Sequence, residues 1–191
     1  MSEEKRCRWA TNSIELYQVY HDEEWGVPVY DDHTLFEMLV LESFQAGLSW
    51  LIILKKREAF REAFDNFEVT KIVAYKEDKI QALVNNKNIV RNMAKIKATI
   101  NNAQVFMSVQ AEYGKFANYI WSFTERKVVD MVGSPLVVTN ELSDKIALDL
   151  KQKGFKFMGS TTVFAYLQAI GIINAHDADC FCVVNHAQKN F

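Results

Sequence analysis

Chain-breaking residues are scarce. Proline occurs only at Pro28 and Pro135, and glycine seven times in 191 residues. Each proline removes a backbone donor and blocks a helix interior, and each glycine weakens a helix it sits in. Their rarity allows long uninterrupted helices. The apolar pattern asks for them as well: Ile89, Met93, Ile96 and Ile100 recur at i, i+4, i+7 and i+11, one stripe of a 3.6-residue period. Lys87, Arg91 and Lys95 fall opposite that stripe and read as a solvated face, with phosphate contact the alternative. Further helices are expected at 35–41, 51–64, 69–75, 78–84, 116–123, 142–153 and 160–170, with Gly154 as a left-handed cap closing the one before it. Strand signals are weak. The segments 128–132 and 136–139 flank Gly133-Ser134-Pro135 and read as either a loop or a short hairpin. The expected fold class is all-α, a single domain over 1–191 in two helical lobes, with no repeat, linker or low-complexity tract.

Composition narrows the setting. Hydrophobic residues are 49% and charged residues 24% of the chain, which is the balance of a globular protein rather than a disordered one. No apolar run reaches the 18 or so residues of a membrane span, and Met-Ser-Glu-Glu-Lys-Arg-Cys-Arg-Trp lacks the apolar core of a secretory signal. Three cysteines, an odd number, point away from a disulfide framework and towards a reducing, cytoplasmic setting. The net charge of −2 provides no global field for nucleic acid, so any DNA site must be a local face.

Two groups of residues carry possible chemistry. His176 and Cys180 stand four apart, a spacing that would put both on one helix face. Cys7 and His21 offer the same pair of ligand types near the other end, and two thiolates with two imidazoles suit structural zinc. Buried cysteines and an ordinary surface histidine are the plain alternative. Cys182 is a competing thiol, with Cys180 preferred for its position on the face of His176. The second group is aromatic: Trp9, Tyr17, Tyr20, Trp25, Tyr30, Phe36, Phe44 and Trp50 crowd the first quarter of the chain around Glu42. Aromatic faces attract a flat cation, and a carboxylate accepts its amine hydrogens. The same residues are also compatible with an ordinary core beside a surface glutamate.

Three stretches are more specific. Tyr20-His21-Asp22-Glu23-Glu24-Trp25-Gly26-Val27-Pro28, then Leu41-Glu42 with Gln45-Ala46-Gly47-Leu48-Ser49-Trp50, then Lys55-Lys56-Arg57, resemble the 3-methyladenine DNA glycosylase I family. So do Lys153 to Thr162 and His176 with Cys180, so that the similarity runs from Cys7 to Cys180. The resemblance implies a helix-hairpin-helix DNA glycosylase of the zinc-bearing branch, a monomer acting on double-stranded alkylated DNA. It implies a hairpin over 154–159 that meets a DNA phosphate, with Lys156, Gly159 and Thr161 in contact. It also implies one structural Zn2+ on Cys7, His21, His176 and Cys180. Glu42 is implied as the catalytic-site acid that hydrogen-bonds the base, Trp9, Tyr17, Tyr20 and Trp50 as the pocket walls, and Leu48, after Gly47, as the wedge entering the duplex. Asp177 is not assigned the sugar-facing aspartate role found in related glycosylases, since this branch is understood to lack it. Ser43-Phe44 departs from the Gly-Gln of some relatives and is expected to reshape the pocket floor or the DNA-facing loop. That departure keeps open a related glycosylase of other alkylated bases, such as 3-methylguanine. A zinc-stabilised protein that binds damage without cutting it is the alternative from another class.

Overall fold

The computed structural model describes residues 5–183, and over them the chain is helical. The α-helices are α1 (Glu15–Glu23), α2 (Asp32–Gln45), α3 (Trp50–Ala63), α4 (Val69–Val73), α5 (Glu77–Asn85), α6 (Met93–Tyr113), α7 (Phe116–Ser122), α8 (Glu141–Lys153) and α9 (Ser160–Ala169). A single 3-10 turn, Asp65–Phe67, joins α3 to α4. The seven helices expected beyond the stripe all form, with ends shifted by a few residues.

Local chemistry explains where helices begin. Asp31 caps α2 by accepting from the Thr34 N–H, Asn92 caps α6 by accepting from Lys95, and Asn140 and Ser143 form a reciprocal capping box on α8. Gly154 closes α8 at φ +101°, the left-handed cap expected of it.

The molecule is built around α2. Every residue from Leu35 to Phe44 is buried, the signature of a helix enclosed on all sides. Helices α3, α6, α7 and α9 pack against it. Polar threads cross the core to fix their arrangement. The Tyr166 hydroxyl of α9 donates to Leu35 O at 3.0 Å, and Asp32 accepts from the amides of Phe116 and Ala117 at 2.9 Å, capping α7 from a distant part of the chain. At Gly171 the chain passes so close to Val27 and Pro28 that a Cβ would lie 2.3 Å from the Val27 carbonyl carbon.

Two expectations are corrected, and of the two readings left open around Pro135 the loop is the one that forms. The stripe from Ile89 to Ile100 belongs to α6 only from Met93 onward, because Asn92 caps the helix there and Ile89 is buried in the preceding turn. Lys95 is not on a solvated face. It is buried, 6% exposed, with its ammonium bound to backbone carbonyls, while Lys87 and Arg91 lie before the helix starts. The segments flanking Pro135 do not pair with each other. Instead β1 (Val129–Asp130) pairs in parallel with β2 (Ile173–Asn174), and 135–138 is irregular, with Leu136 and Val138 exposed. A parallel partner from a distant segment leaves no local sequence signature.

Candidate active site

The last turn of α2 carries Glu42 inward. Its side chain is buried, 3% exposed, and faces one cavity. That cavity, about 170 Å³, is lined by Trp9, Tyr17, Tyr20, Trp25, Glu42, Gln45, Trp50, Ala165 and Gln168. It is smaller than the roughly 300–1,000 Å³ of pockets for larger ligands and suits one flat ring system. Its walls support one another: Trp9 meets Tyr17 at 4.8 Å between ring centroids and Trp25 edge-on at 5.1 Å, and Tyr20 meets Trp50 at 5.4 Å. Interlocked rings of this kind keep an aromatic slot open instead of letting it collapse.

Two polar atoms stand out. Glu42 Oε2 and the Trp50 indole N–H are buried and make no hydrogen bond among the described residues. Such groups are costly unless a ligand completes them. Burial alone pushes the Glu42 carboxyl up from 4.5 to about 8, so it is mostly protonated near neutrality when the pocket is empty. A cation entering the slot reverses that balance and favours the carboxylate. The site thus places a buried acid and an unbonded indole donor among aromatic faces, with Gln45 and Gln168 also on its lining.

The structure brings together all five expected pocket residues, Glu42, Trp9, Tyr17, Tyr20 and Trp50. Trp25 belonged to the expected aromatic group but not to the expected walls, and sequence reasoning missed Gln45, Ala165 and Gln168. Trp25 and Gln45 stand inside the quoted motifs, but Ala165 and Gln168 come from α9, and nothing local marks them. The Ser43-Phe44 departure does not reach the pocket. Ser43 donates to Val40 O, and Phe44 is buried against Phe60 and Phe64 on the far side of α2.

Past the pocket, α2 runs out into Gly47-Leu48-Ser49. Gly47 adopts φ +83°, which a side chain would strain. Leu48 is 37% exposed, and its amide donates to Gln45 O at 2.7 Å, closing a tight turn that presents the side chain outward. The other expected contact segment, 154–159, joins α8 to α9. Lys156 and Thr161 are exposed there. Gly159 has an ordinary φ of −76° and open space where a Cβ would go, so neither conformation nor internal packing demands glycine.

At the chain ends, Cys7, His21, His176 and Cys180 are all buried, with one ligand atom from each within 4.8 Å of the others. The set agrees with the expected one, but by a different route. Residues 175–181 are turn and loop rather than helix, so the i, i+4 face argument does not apply. The pair converges because the chain folds back: Phe181 N donates to Lys5 O at 2.9 Å, and Asp177 N donates to Cys7 Sγ. Both imidazoles are oriented from behind, His21 Nδ1 by Asp22 at 2.8 Å and His176 Nδ1 by Asn174 at 2.8 Å. Cys182 lies 3.9 Å from His21 Nδ1, on the opposite ring nitrogen from Cys180, and shares a second group with His21 and Asp22. Asp177 does not line the pocket: its carboxylate accepts from the Arg8 amide at 2.8 Å and pairs with the Arg8 guanidinium.

A helical frame around a buried acid in an aromatic slot defines a class: helical proteins with one small aromatic pocket that holds a carboxyl. The family follows from comparison, for the methyladenine glycosylase model matches residues 9–183, and the chain belongs to that family. It is 38% identical over 181 residues to DNA-3-methyladenine glycosylase 1 of Escherichia coli K12, covering 93% of this chain and 96% of that protein. It is also 38% identical to DNA-3-methyladenine glycosylase of Haemophilus influenzae, covering 93% and 97%. Among solved structures, 3-methyladenine DNA glycosylase I from Staphylococcus aureus, described for its recognition of 3-methyladenine, superposes with a TM-score of 0.88 at 39% identity, over 93% of this chain and 96% of that one.

Proposed function

We propose that this protein is a monofunctional DNA-repair glycosylase that hydrolyses the N-glycosidic bond of 3-methyladenine in alkylated double-stranded DNA and leaves an abasic site. The observation that carries the reading is the buried Glu42 carboxyl, whose Oε2 has no partner among the described residues, in an aromatic slot of single-ring-system size. The substrate class comes from the family and from relatives named for this activity.

The chemistry follows from the charge. Methylation at N3 leaves adenine cationic in DNA and makes it a good leaving group. Cation–π attraction from Trp9, Tyr17, Tyr20 and Trp50 favours that charge, and Glu42 accepts from the exocyclic amine as a carboxylate. Neutral adenine offers neither the charge nor the leaving ability. The base reaches the slot by leaving the stack, at an expense of a few kcal/mol, with Leu48 filling the gap. The glycosidic bond then breaks with little acid assistance, water attacks the sugar, and positioning supplies much of the rate. Lys156 serves the phosphate rather than a Schiff base, so no strand cleavage follows.

The segment 154–159 is read as the hairpin of a helix-hairpin-helix motif. Its amides, with the start of α9 and the exposed Lys156 and Thr161, meet a phosphate, and the absent side chain at Gly159 lets the backbone approach. Cys7, His21, His176 and Cys180 fit one structural Zn2+: they supply two soft thiolates and two imidazoles, each imidazole held by an oxygen acceptor behind it, the four donors that a closed zinc site would use. Bound there, zinc cross-links the two ends of the chain and leaves no position for chemistry. Three buried free thiols agree with a reducing cytoplasm, and no described helix is long and apolar enough to cross a membrane. We read the protein as a monomer of one domain.

Base release from methylated duplex DNA, separated by chromatography, tests the reading in wild type and Glu42→Ala. Release of 3-methyladenine, lost in the variant, is expected. Folded wild-type protein that binds methylated DNA but frees no base would overturn it in favour of damage binding alone.

A further inference from the structure

Helix α6 lines no part of the base pocket, yet one face of it carries three buried polar side chains, Lys95, Thr99 and Asn102, spaced as a single stripe. Thr99 is satisfied within the helix by donating to Lys95 O. The other two reach out of it. The Lys95 ammonium donates to Phe44 O at 2.9 Å and Ala46 O at 2.8 Å. Those carbonyls end α2, immediately before Gly47 and Leu48. Two turns further on, Asn102 makes a two-point clamp on the backbone of Lys156, accepting from its amide at 2.8 Å and donating to its carbonyl at 2.9 Å. Asn101 adds a bond to Gly154 O at 2.8 Å. The two loops that the functional reading turns towards DNA are therefore tied to one rigid helix, at points about 10 Å apart along its axis.

Stability alone does not call for this arrangement. The Leu48 amide already closes the turn onto Gln45 O, and the buried Phe44 O and Ala46 O need a donor but not a charged one brought from another helix. Burying an ammonium instead carries a desolvation penalty, and burial does press the Lys95 pKa below its ordinary value. What the buried contacts add is a fixed spacing between two otherwise independent loops.

We propose that Lys95 and Asn102 are positioning residues for the glycosylase reaction. Through α6 they hold the Gly47-Leu48 turn and the 154–159 hairpin at the separation a duplex must meet on both at once. The proposal rests on the glycosylase reading for which DNA surface these loops form. It predicts a separation of functions: both residues matter for duplex DNA and neither matters for the isolated base, since neither touches the slot.

The test compares wild type, Lys95→Met, Asn102→Ala and the double variant in the full chain. Four quantities are read: 3-methyladenine release from methylated duplex, duplex affinity by anisotropy, binding of free 3-methyladenine by tryptophan fluorescence, and melting temperature. Each single variant is expected to lose about tenfold or more in kcat/KM, mostly through KM, as misplacement of docking contacts does. Free-base affinity should stay within about threefold while that happens. Because both substitutions release the same spacing, their losses on duplex should combine to less than the product, whereas melting-temperature decrements add as they do for separated sites. Excision that falls only in step with free-base binding would overturn the proposal. So would unchanged kcat/KM in the folded single variants, or fully independent losses. If Lys95→Met does not fold, Asn102→Ala decides by the same comparison. Wild-type protein that frees no base would sink the glycosylase reading instead, and the duplex affinities would still report on the two clamps.

Discussion

Glu42 couples the chemistry of the pocket to the stability of the fold. Its carboxyl is raised from 4.5 to about 8, so the folded protein holds this proton more tightly than the unfolded chain does. The sign is that of a penalty: absent below about pH 4.5, growing as pH rises, and complete above about pH 8. Glu42→Gln should therefore stabilise the empty protein by about 3 kcal/mol at pH 7 and by almost nothing at pH 4.5. Urea denaturation across that range checks it, and a variant less stable than wild type at pH 8 would contradict it. The same substitution should weaken discrimination for the cationic base, because only the carboxylate complements its charge. For wild type, kcat/KM should rise with pH towards about 8, and in Glu42→Gln that limb should disappear. A rate profile with an unchanged limb in the variant assigns it to another group. Glu42, Tyr20 and Trp50 were legible in the sequence because they stand inside motifs. Lys95 was misread because charge at helical spacing looks alike on a wet face and in a buried clamp. The difference lies in which carbonyls come within its reach.

Among the elements, the exposed turn after α2 and the hairpin between α8 and α9 can be altered without disturbing the core. Leu48→Ala removes a side chain that packs little internally, so stability should change by less than about 0.5 kcal/mol. Release from duplex DNA should fall by roughly tenfold or more, while free 3-methyladenine still quenches tryptophan fluorescence. Equal loss in both assays would place Leu48 in pocket integrity rather than in the duplex. Gly159→Glu makes a parallel test. Its backbone angles are ordinary and its Cβ meets nothing, so the melting temperature should hold while duplex affinity drops and its salt dependence changes. Undiminished DNA binding would remove the hairpin from the interface. Helix positions were well read from the sequence, since periodicity, caps and breakers act locally. The parallel pairing of β1 with β2 was not, because its partners are more than forty residues apart and each contributes two residues.

At the level of the whole molecule, the first and last described segments meet at the cysteine–histidine cluster, and the pocket sits beside it, since Trp9 contacts both Tyr17 and His21. A metal there would order the wall of the slot as well as the termini. Cys180→Ser should lower bound zinc, read by elemental analysis, and lower the melting temperature, and a chelator should shift wild type in the same direction. Because thiols and imidazoles must lose protons to bind, zinc retention should weaken as pH falls. Zinc content and melting temperature unchanged in Cys180→Ser would shift attention to Cys182, which lies against the same histidine.

The sequence by itself determined the helical class, most of the helices, and Glu42 with its aromatic neighbours, because short-range pattern and contiguous motifs encode them; it singled out Cys7, His21, His176 and Cys180 by residue type, while the helix-face spacing assumed for His176 and Cys180 does not occur. Tertiary structure decided the rest. It raised the Glu42 carboxyl through burial, and it recruited Ala165 and Gln168 to the pocket from a helix some 120 residues away in the chain. It sent Phe44 into the core, and it joined His176 to Cys180 through a turn rather than a helix face. It also made α6 the common anchor of two loops. These are properties of groups distant in sequence and adjacent in space. Desolvation and hydrogen bonding depend on that adjacency, which no local window of the chain contains.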